Sequence, residues 1–193
     1  PDLHGDRLAI VTNGGGVGVL AADDLLDGGG RLADLSPATL AFLNKVLPEA
    51  WSHGNPVDII GDGGSDRYIT TLEAVMADAN VDAVLVMHCP TAVAEPLQTA
   101  KDIIAADRSK KPMLTAWLGE ASVKTARDYF SAHKIPTFAS AEEAIGGFLN
   151  LIRYRRRREA LMEVPQLSPS ISPSHVAEAR ALVAGIAANE PSW

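Results

Sequence analysis

The chain has 193 residues, a formal net charge of −7, 47% hydrophobic and 21% charged residues, which suits one globular domain of average size with appendages. The acidic balance excludes a general nucleic-acid surface, which needs a basic patch, and no apolar run approaches the roughly 20 residues that span a bilayer. The single cysteine, Cys89, excludes an internal disulfide and fits a reducing cytoplasm, and no histidine–cysteine spacing points to a metal.

The chain opens at Pro1 without a methionine, a few residues before its first strand, which predicts a piece of a longer polypeptide. Leu8 to Val11 is an apolar, β-branched run of the kind buried on both faces of a parallel sheet. Thr12 and Asn13 lead into Gly14-Gly15-Gly16, and Val19, Leu20, Ala22, Leu25 and Leu26 follow at helical spacing. A strand, a glycine turn and a helix in that order aim free backbone N–H groups and a helix dipole at one point. Such a point favours an anion, most often phosphate.

Gly28 to Gly30 end this helix, and residues 31–34 are expected as a short strand. Ser36-Pro37 starts a second helix, with serine as cap and proline at the first helical position. Residues 51–64, WSHGNPVDIIGDGG, read as a functional loop with a short strand at 57–60. Helices are then expected over 65–80, 95–106 and 122–133, with strands over 83–87, 113–118 and 135–139. Ser140 to Glu143 forms a capping box for a last long helix, which carries Ile145, Phe148, Leu149 and Ile152 inside and Arg155 to Arg158 beyond. From Val164 prolines and serines predict a linker, then a short helix over 174–188. The alternation predicts an α/β fold, a flavodoxin-like five-stranded parallel sheet of order 2-1-3-4-5 with helices on both faces. Its ligand corner lies beyond the carboxyl ends of strands one and three, where Asn13 to Gly16 and His88 to Thr91 stand.

Several chemistries can be weighed at that corner. Gly16 to Ala21 fits G-x-G-x-x-A, and Asp34 could hold a ribose, the pattern of a nicotinamide-dependent oxidoreductase; any glycine turn entering an alanine-rich helix gives the same pattern. A Walker loop is excluded, since no Gly-Lys-Ser/Thr follows. His88 could accept a phosphoryl group or act as a base, or it is a loop histidine bonded to backbone. Asp58 and Asp62 could orient a phosphorylated group or simply close Asx turns. Cys89 reads as a small buried residue rather than a nucleophile. The Arg155–Arg158 run suits an acidic partner or a helix C-terminus.

Five ordered blocks, RLAIVTNGGGVGVLAADDLL, GNPVDIIGDGGSDRY, VDAVLVMHCPTAVAEP, KPMLTAWLGE and IPTFASAEEAI, resemble the NDP-forming acyl-CoA synthetases of the succinyl-CoA synthetase superfamily. The resemblance extends to long chains that also carry a protein acetyltransferase domain. It implies the second flavodoxin-like ligase domain over 1–163, and over 164–193 a linker leading towards an ATP-grasp domain. It further implies that phosphate passes through a histidine of the neighbouring ligase domain, in a Ser-His-Thr-Gly-like motif that this chain lacks, so His88 is not that histidine. The role carried over is to hold that phosphate at Asn13, Gly14, Gly15 and Gly16, with Asn55, Pro56, Asp58, His88, Pro90 and Thr91 bordering the site. No catalytic residue and no metal ligand is assigned. CoA and ATP with magnesium belong to the full-length protein, whose CoA-binding, other ligase and ATP-grasp domains are the implied partners, and a homodimer is compatible. A docking or regulatory domain of an acetyltransferase-type relative is the competing class.

Overall fold

Continuous apolar runs alternate with amphipathic stretches, and they fold as a parallel sheet covered on both faces. The computed structural model describes residues 3–92, 95–109, 111–162 and 173–189. The chain divides into two units, Pro1–Arg157 and Arg158–Trp193. In the first, β1 (Arg7–Thr12), β2 (Arg31–Leu32), β3 (Val57–Asp58), β4 (Ala83–His88), β5 (Met113–Trp117) and β6 (Thr137–Phe138) make one sheet. Its path is β2-β1-β4-β5-β6, with β3 pairing β1 and every ladder parallel. The five-strand path is the expected order; β3 is the short strand anticipated in the long loop.

The helices are α1 (Gly15–Asp27), α2 (Pro37–Val46), α3 (Ser65–Ala77), α4 (Pro96–Ala106), α5 (Lys124–Ala132) and α6 (Ala141–Met162), whose last turn belongs to the second unit. Alternation along β1 sends Leu8 and Ile10 to a core shared with α1 and α6, and Ala9 and Val11 to a core shared with α2 through α5. The second unit holds α7 (Pro173–Asn189), where a short helix was expected; residues 164–172 of the expected linker lie outside the described residues.

Local signals were followed with two exceptions. Ser36 Oγ accepts from the Thr39 N–H, and Ser140 Oγ from the Glu143 N–H at 3.1 Å. Gly29, at φ +76°, donates to the Leu26 carbonyl and Gly30 to that of Leu25, a Schellman close to α1 that needs a left-handed residue. On α1 itself only Gly18, Ala21, Ala22 and Leu25 are buried, while Val19, Leu20 and Leu26 are 55%, 62% and 54% exposed. The helix packs by a narrow stripe of Gly18, Ala21, Ala22 and Leu25, and Val19, Leu20 and Leu26 face away from the core. The arginine run does not end a helix, because α6 continues to Met162; Arg156 reaches Asp6 at 2.9 Å instead.

The sheet edge at β1 is built from two fragments. β2 covers Arg7 and Leu8, β3 covers Val11 and Thr12, and the gap between is bridged by one side chain. Asn55 Oδ1 accepts from the Ile10 N–H at 2.9 Å, and its Nδ2 donates to the Leu8 and Ala33 carbonyls, each at 2.9 Å. The amide stands in for the missing strand residue. Asn55→Ala is expected to cost about 2–4 kcal/mol of folding stability in urea titrations, since backbone groups in a half-buried edge lose their partner. A loss below about 0.5 kcal/mol would show that solvent replaces the amide there.

Candidate functional site

β1 and β4 lie side by side to their carboxyl ends, Thr12 opposite Met87, and their exit loops then part. α1 starts in the opening without any side-chain cap, from Gly14 in extended conformation. The Gly14 N–H donates to Thr12 Oγ1 at 3.0 Å, and the Val17 and Gly18 N–H groups turn back on the Gly14 carbonyl at 3.2 and 3.1 Å. That leaves the Gly15 and Gly16 N–H groups, which have no partner among the described residues. The glycines are required by close approach. A Cβ on Gly14 would stand 2.5 Å from Cys89 Sγ, and one on Gly15 2.5 Å from Asp58 Oδ2. One on Gly16, which is exposed, would meet nothing within 4 Å.

The walls come from three loops. Asn13 is buried, and its side chain clamps the two exits together: Nδ2 donates to the Cys89 carbonyl at 3.0 Å, while Oδ1 accepts from the Cys89 N–H at 2.7 Å. Both polar atoms of the Asn13 side chain take part in this clamp. Asp58 stands opposite Thr12 in the β3 register; Oδ1 accepts from the Ile60 N–H at 2.9 Å, the Asx turn weighed from sequence, and Oδ2 lies beside Gly15. The turn holds Ile60 at φ +69°, an uncommon conformation for a β-branched residue. Pro56, after a cis peptide bond with Asn55, packs on α1 at Gly18. A Cβ on Gly61 would be 3.6 Å from the Asn13 carbonyl oxygen and 3.7 Å from Thr91 Cγ2, so the 58–64 loop meets the β4 exit there. Pro90 is exposed on the far side of that exit, facing Gly119. Asp62 points elsewhere, 2.6 Å from Arg67, whose Nη1 also donates to the Ile59 carbonyl.

His88 departs from expectation in both of its forms. It is the last residue of β4, and the alternation that puts Val84 and Val86 in the α2–α5 core puts its ring there too. The ring is fully buried, stacked on Trp117 at 5.3 Å and tilted to Tyr68 at 6.2 Å, with no hydrogen-bond partner on either nitrogen among the described residues. It neither borders the corner nor bonds backbone, and burial drives its pKa down to about 4. Cys89 is half-buried against Gly14, and burial, with Asp58 nearby, pushes its thiol up, so it is held as an unreactive thiol.

Tyr68 was missed in the sequence. Its hydroxyl, fully buried, donates to the Met87 carbonyl at 2.8 Å and accepts from the Asn13 backbone N–H, tying the ends of β1 and β4 from below. Burial pushes the phenol well up, so it stays a donor. The available signal was its place on the Tyr68, Leu72, Val75 stripe of α3. Among the described residues no cluster of three metal-ligating side chains occurs, and no helix is long and apolar enough to cross a membrane.

The Ligase-CoA domain family matches residues 8–163. An acetate–CoA ligase (ADP-forming) I subunit alpha of Pyrococcus furiosus is 31% identical over 81% of this chain and 34% of its own length. The acetate–CoA ligase (ADP-forming) of Methanocaldococcus jannaschii is 35% identical over 80% of this chain and 23% of its own. Among solved structures, the dinucleotide-forming acetyl-coenzyme A synthetase 1 of Ca. Korarchaeum cryptofilum, in complex with phosphate and ADP, superposes with a TM-score of 0.80 at 30% identity, over 87% of this chain and 37% of that one. PH0766 of Pyrococcus horikoshii superposes at 0.76 and 29% identity, over 81% and 37%. The chain thus spans about a third or less of the length of these relatives.

The buried imidazole makes stability depend on pH. The unfolded chain takes up the His88 proton near pH 6.5, whereas the folded chain resists it until about pH 4. The stability present above pH 6.5 is therefore lost as pH falls through that window, by up to about 3 kcal/mol. His88→Phe, which keeps the stack on Trp117, is expected to flatten this part of the stability–pH curve in urea titrations; an unchanged slope would assign it to other groups.

Proposed function

The chain belongs to the Ligase-CoA domain family, and from that premise we propose that it serves an ADP-forming acyl-CoA synthetase, which converts an acid, CoA and ATP to acyl-CoA, ADP and phosphate. Within that protein its task is to receive, at the start of α1, the phosphoryl group of a histidine supplied by a neighbouring domain. The observation that carries this reading is the uncapped helix end whose Gly15 and Gly16 N–H groups have no partner among the described residues. Backbone donors and the helix dipole stabilise a doubly charged group without any cationic side chain and without reorganisation as charge builds.

Residues 1–163 form the ligase-type domain in this reading, and 164–193 lead towards ATP-grasp; the family match ending at 163 supports that division. ATP, magnesium and CoA are handled on the other domains, which are the partners of this one. No residue here reacts covalently, and the chain by itself is inactive. The nicotinamide alternative is disfavoured by packing as well as by kinship. Asn55 to Asp58 fill the flank of β1 beyond β2, and Pro56 sits on Gly18, the second glycine of that pattern.

The test adds charge where it fits sterically. Gly16→Asp meets no neighbour and places a carboxylate in the first turn, where it suits the helix. In the intact ligase the melting temperature is expected to hold or rise, while ADP-forming acyl-CoA synthesis falls about 100-fold or more, the scale of losing a preorganised anion site. Full activity would reject the phosphate role and leave a docking domain.

A further inference from the structure

Tyr68 stands on the far side of the sheet from α1, yet its hydroxyl reaches the point where the chain turns into that helix. The ring belongs to the core shared by α2 through α5 and is fully buried, 6.2 Å from the His88 ring and 6.5 Å from that of Trp117. Trp117 is anchored in turn, its Nε1 donating to the Pro96 carbonyl at 3.2 Å. The Tyr68 hydroxyl donates to the Met87 carbonyl at 2.8 Å and accepts from the Asn13 backbone N–H. Met87 is the last β4 residue in register with β1, and Asn13 is the first residue past the end of β1. The first turn of α1 has little hold of its own: Gly15 and Gly16 carry no side chain, and the first buried residue of the helix is Gly18. The backbone that α1 leaves therefore sets the place of that turn.

We infer that Tyr68 is a positioning residue of the corner, its hydroxyl fixing the chain at Asn13 and so the aim of the Gly15 and Gly16 N–H groups that follow. The inference rests on the phosphate-receiving role proposed above; Tyr68 lies beneath the corner and acts through Asn13. One hydroxyl oxygen serves a donor and an acceptor on two strands at once, which no apolar side chain of the same shape can do. It adds a second joint beside the Asn13–Cys89 clamp, so the two exits are tied at successive levels. Backbone donors act over a short range and in one direction, so a displacement of about 1 Å is enough to cost about 100-fold in rate. Without the hydroxyl, the Met87 carbonyl and the Asn13 N–H lose a buried partner, and the backbone between β1 and α1 shifts to find another.

The test is Tyr68→Phe in the intact ligase, which keeps the ring beside His88 and Trp117 and removes only the oxygen. Its control is Phe130→Leu, which trims the same core where Phe130 meets the Trp117 ring at 4.6 Å. Tyr68→Phe is expected to lower kcat of ADP-forming acyl-CoA synthesis at least about tenfold, while the KM values for acid, CoA and ATP change less than about twofold. Phe130→Leu, with an equal or larger fall in melting temperature, is expected to keep kcat within about twofold. In 15N spectra of this chain, Tyr68→Phe is expected to move the Gly15 and Gly16 amide signals and Phe130→Leu to leave them in place. If the phenylalanine variant does not fold, 4-fluorophenylalanine in place of Tyr68 carries the same expectations, since fluorine fills the space of the hydroxyl without donating. A kcat that stays within about twofold, or a loss no greater than that of Phe130→Leu, overturns the inference, and with Gly16→Asp inactive in the same assay the phosphate role still stands. Full activity of Gly16→Asp rejects that role and the inference with it.

Discussion

The corner depends on one constraint. Two neighbouring parallel strands must end level with each other while their chains leave in different directions. At that point the sheet stops supplying hydrogen-bond partners, and buried backbone groups left without them cost about 1–3 kcal/mol each. Here the deficit is met from within. The Asn13 amide closes a reciprocal pair with Cys89, the Tyr68 hydroxyl takes the Met87 carbonyl and the Asn13 N–H, and Thr12 Oγ1 takes the Gly14 N–H. The side chains of Asn13, Tyr68 and Thr12 are committed to the wall, and the Gly15 and Gly16 amides at the start of α1 are left without a partner among the described residues. The vacancy at the helix end is a consequence of satisfaction elsewhere.

That arrangement explains which parts of the protein were legible in its sequence. The β1 and β4 runs, the glycine turn and the Ser36 and Ser140 caps are local signals, each with one physical meaning, and each formed where expected. The roles of single polar side chains were not legible, because they are set by partners far away in sequence. Asn13 meets Cys89 across 76 positions, and Asn55 meets Leu8 across 47. Its amide spans two strand fragments whose register no local pattern encodes. His88 is the instructive failure. A histidine at a strand end near glycines suggests chemistry, yet strand parity alone fixes which face it takes, and the parity of Val84 and Val86 points inwards. α1 errs in the other direction, since apolar residues at helical spacing imply burial, and Val19, Leu20 and Leu26 are exposed.

The electrostatics of the corner follow from the same economy of side chains. A phosphate site made of arginines would bind free phosphate and nucleotides alike, since bidentate guanidinium contacts recognise any such group. Here Arg67 is paired with Asp62, and the Asp58 carboxylate stands beside the helix end at Gly15. Attraction comes solely from backbone dipoles, which act over a short range and in one direction. In the proposed role, a group would have to be delivered to the amides in the right orientation before it is stabilised.

Such a corner is held at some expense to stability. The glycine at the start of α1 forgoes roughly a few tenths of a kcal/mol that a serine or aspartate at Gly14 would supply, and Gly15 and Gly16 forgo helix propensity as well. The buried, unpartnered His88 adds a further liability in acid. At two positions a side chain would collide: one on Gly14 would strike Cys89 Sγ, and one on Gly15 would strike Asp58. The compensation has to come from elements with no part in the site, namely the two apolar layers on either side of β1 and β4, the edge amide of Asn55 and the Arg7–Asp82 pair at the opposite end of the sheet. A rigid sheet is thus what allows the helix end to stay empty, and an empty helix end is what a phosphoryl group passed from another domain would need to find.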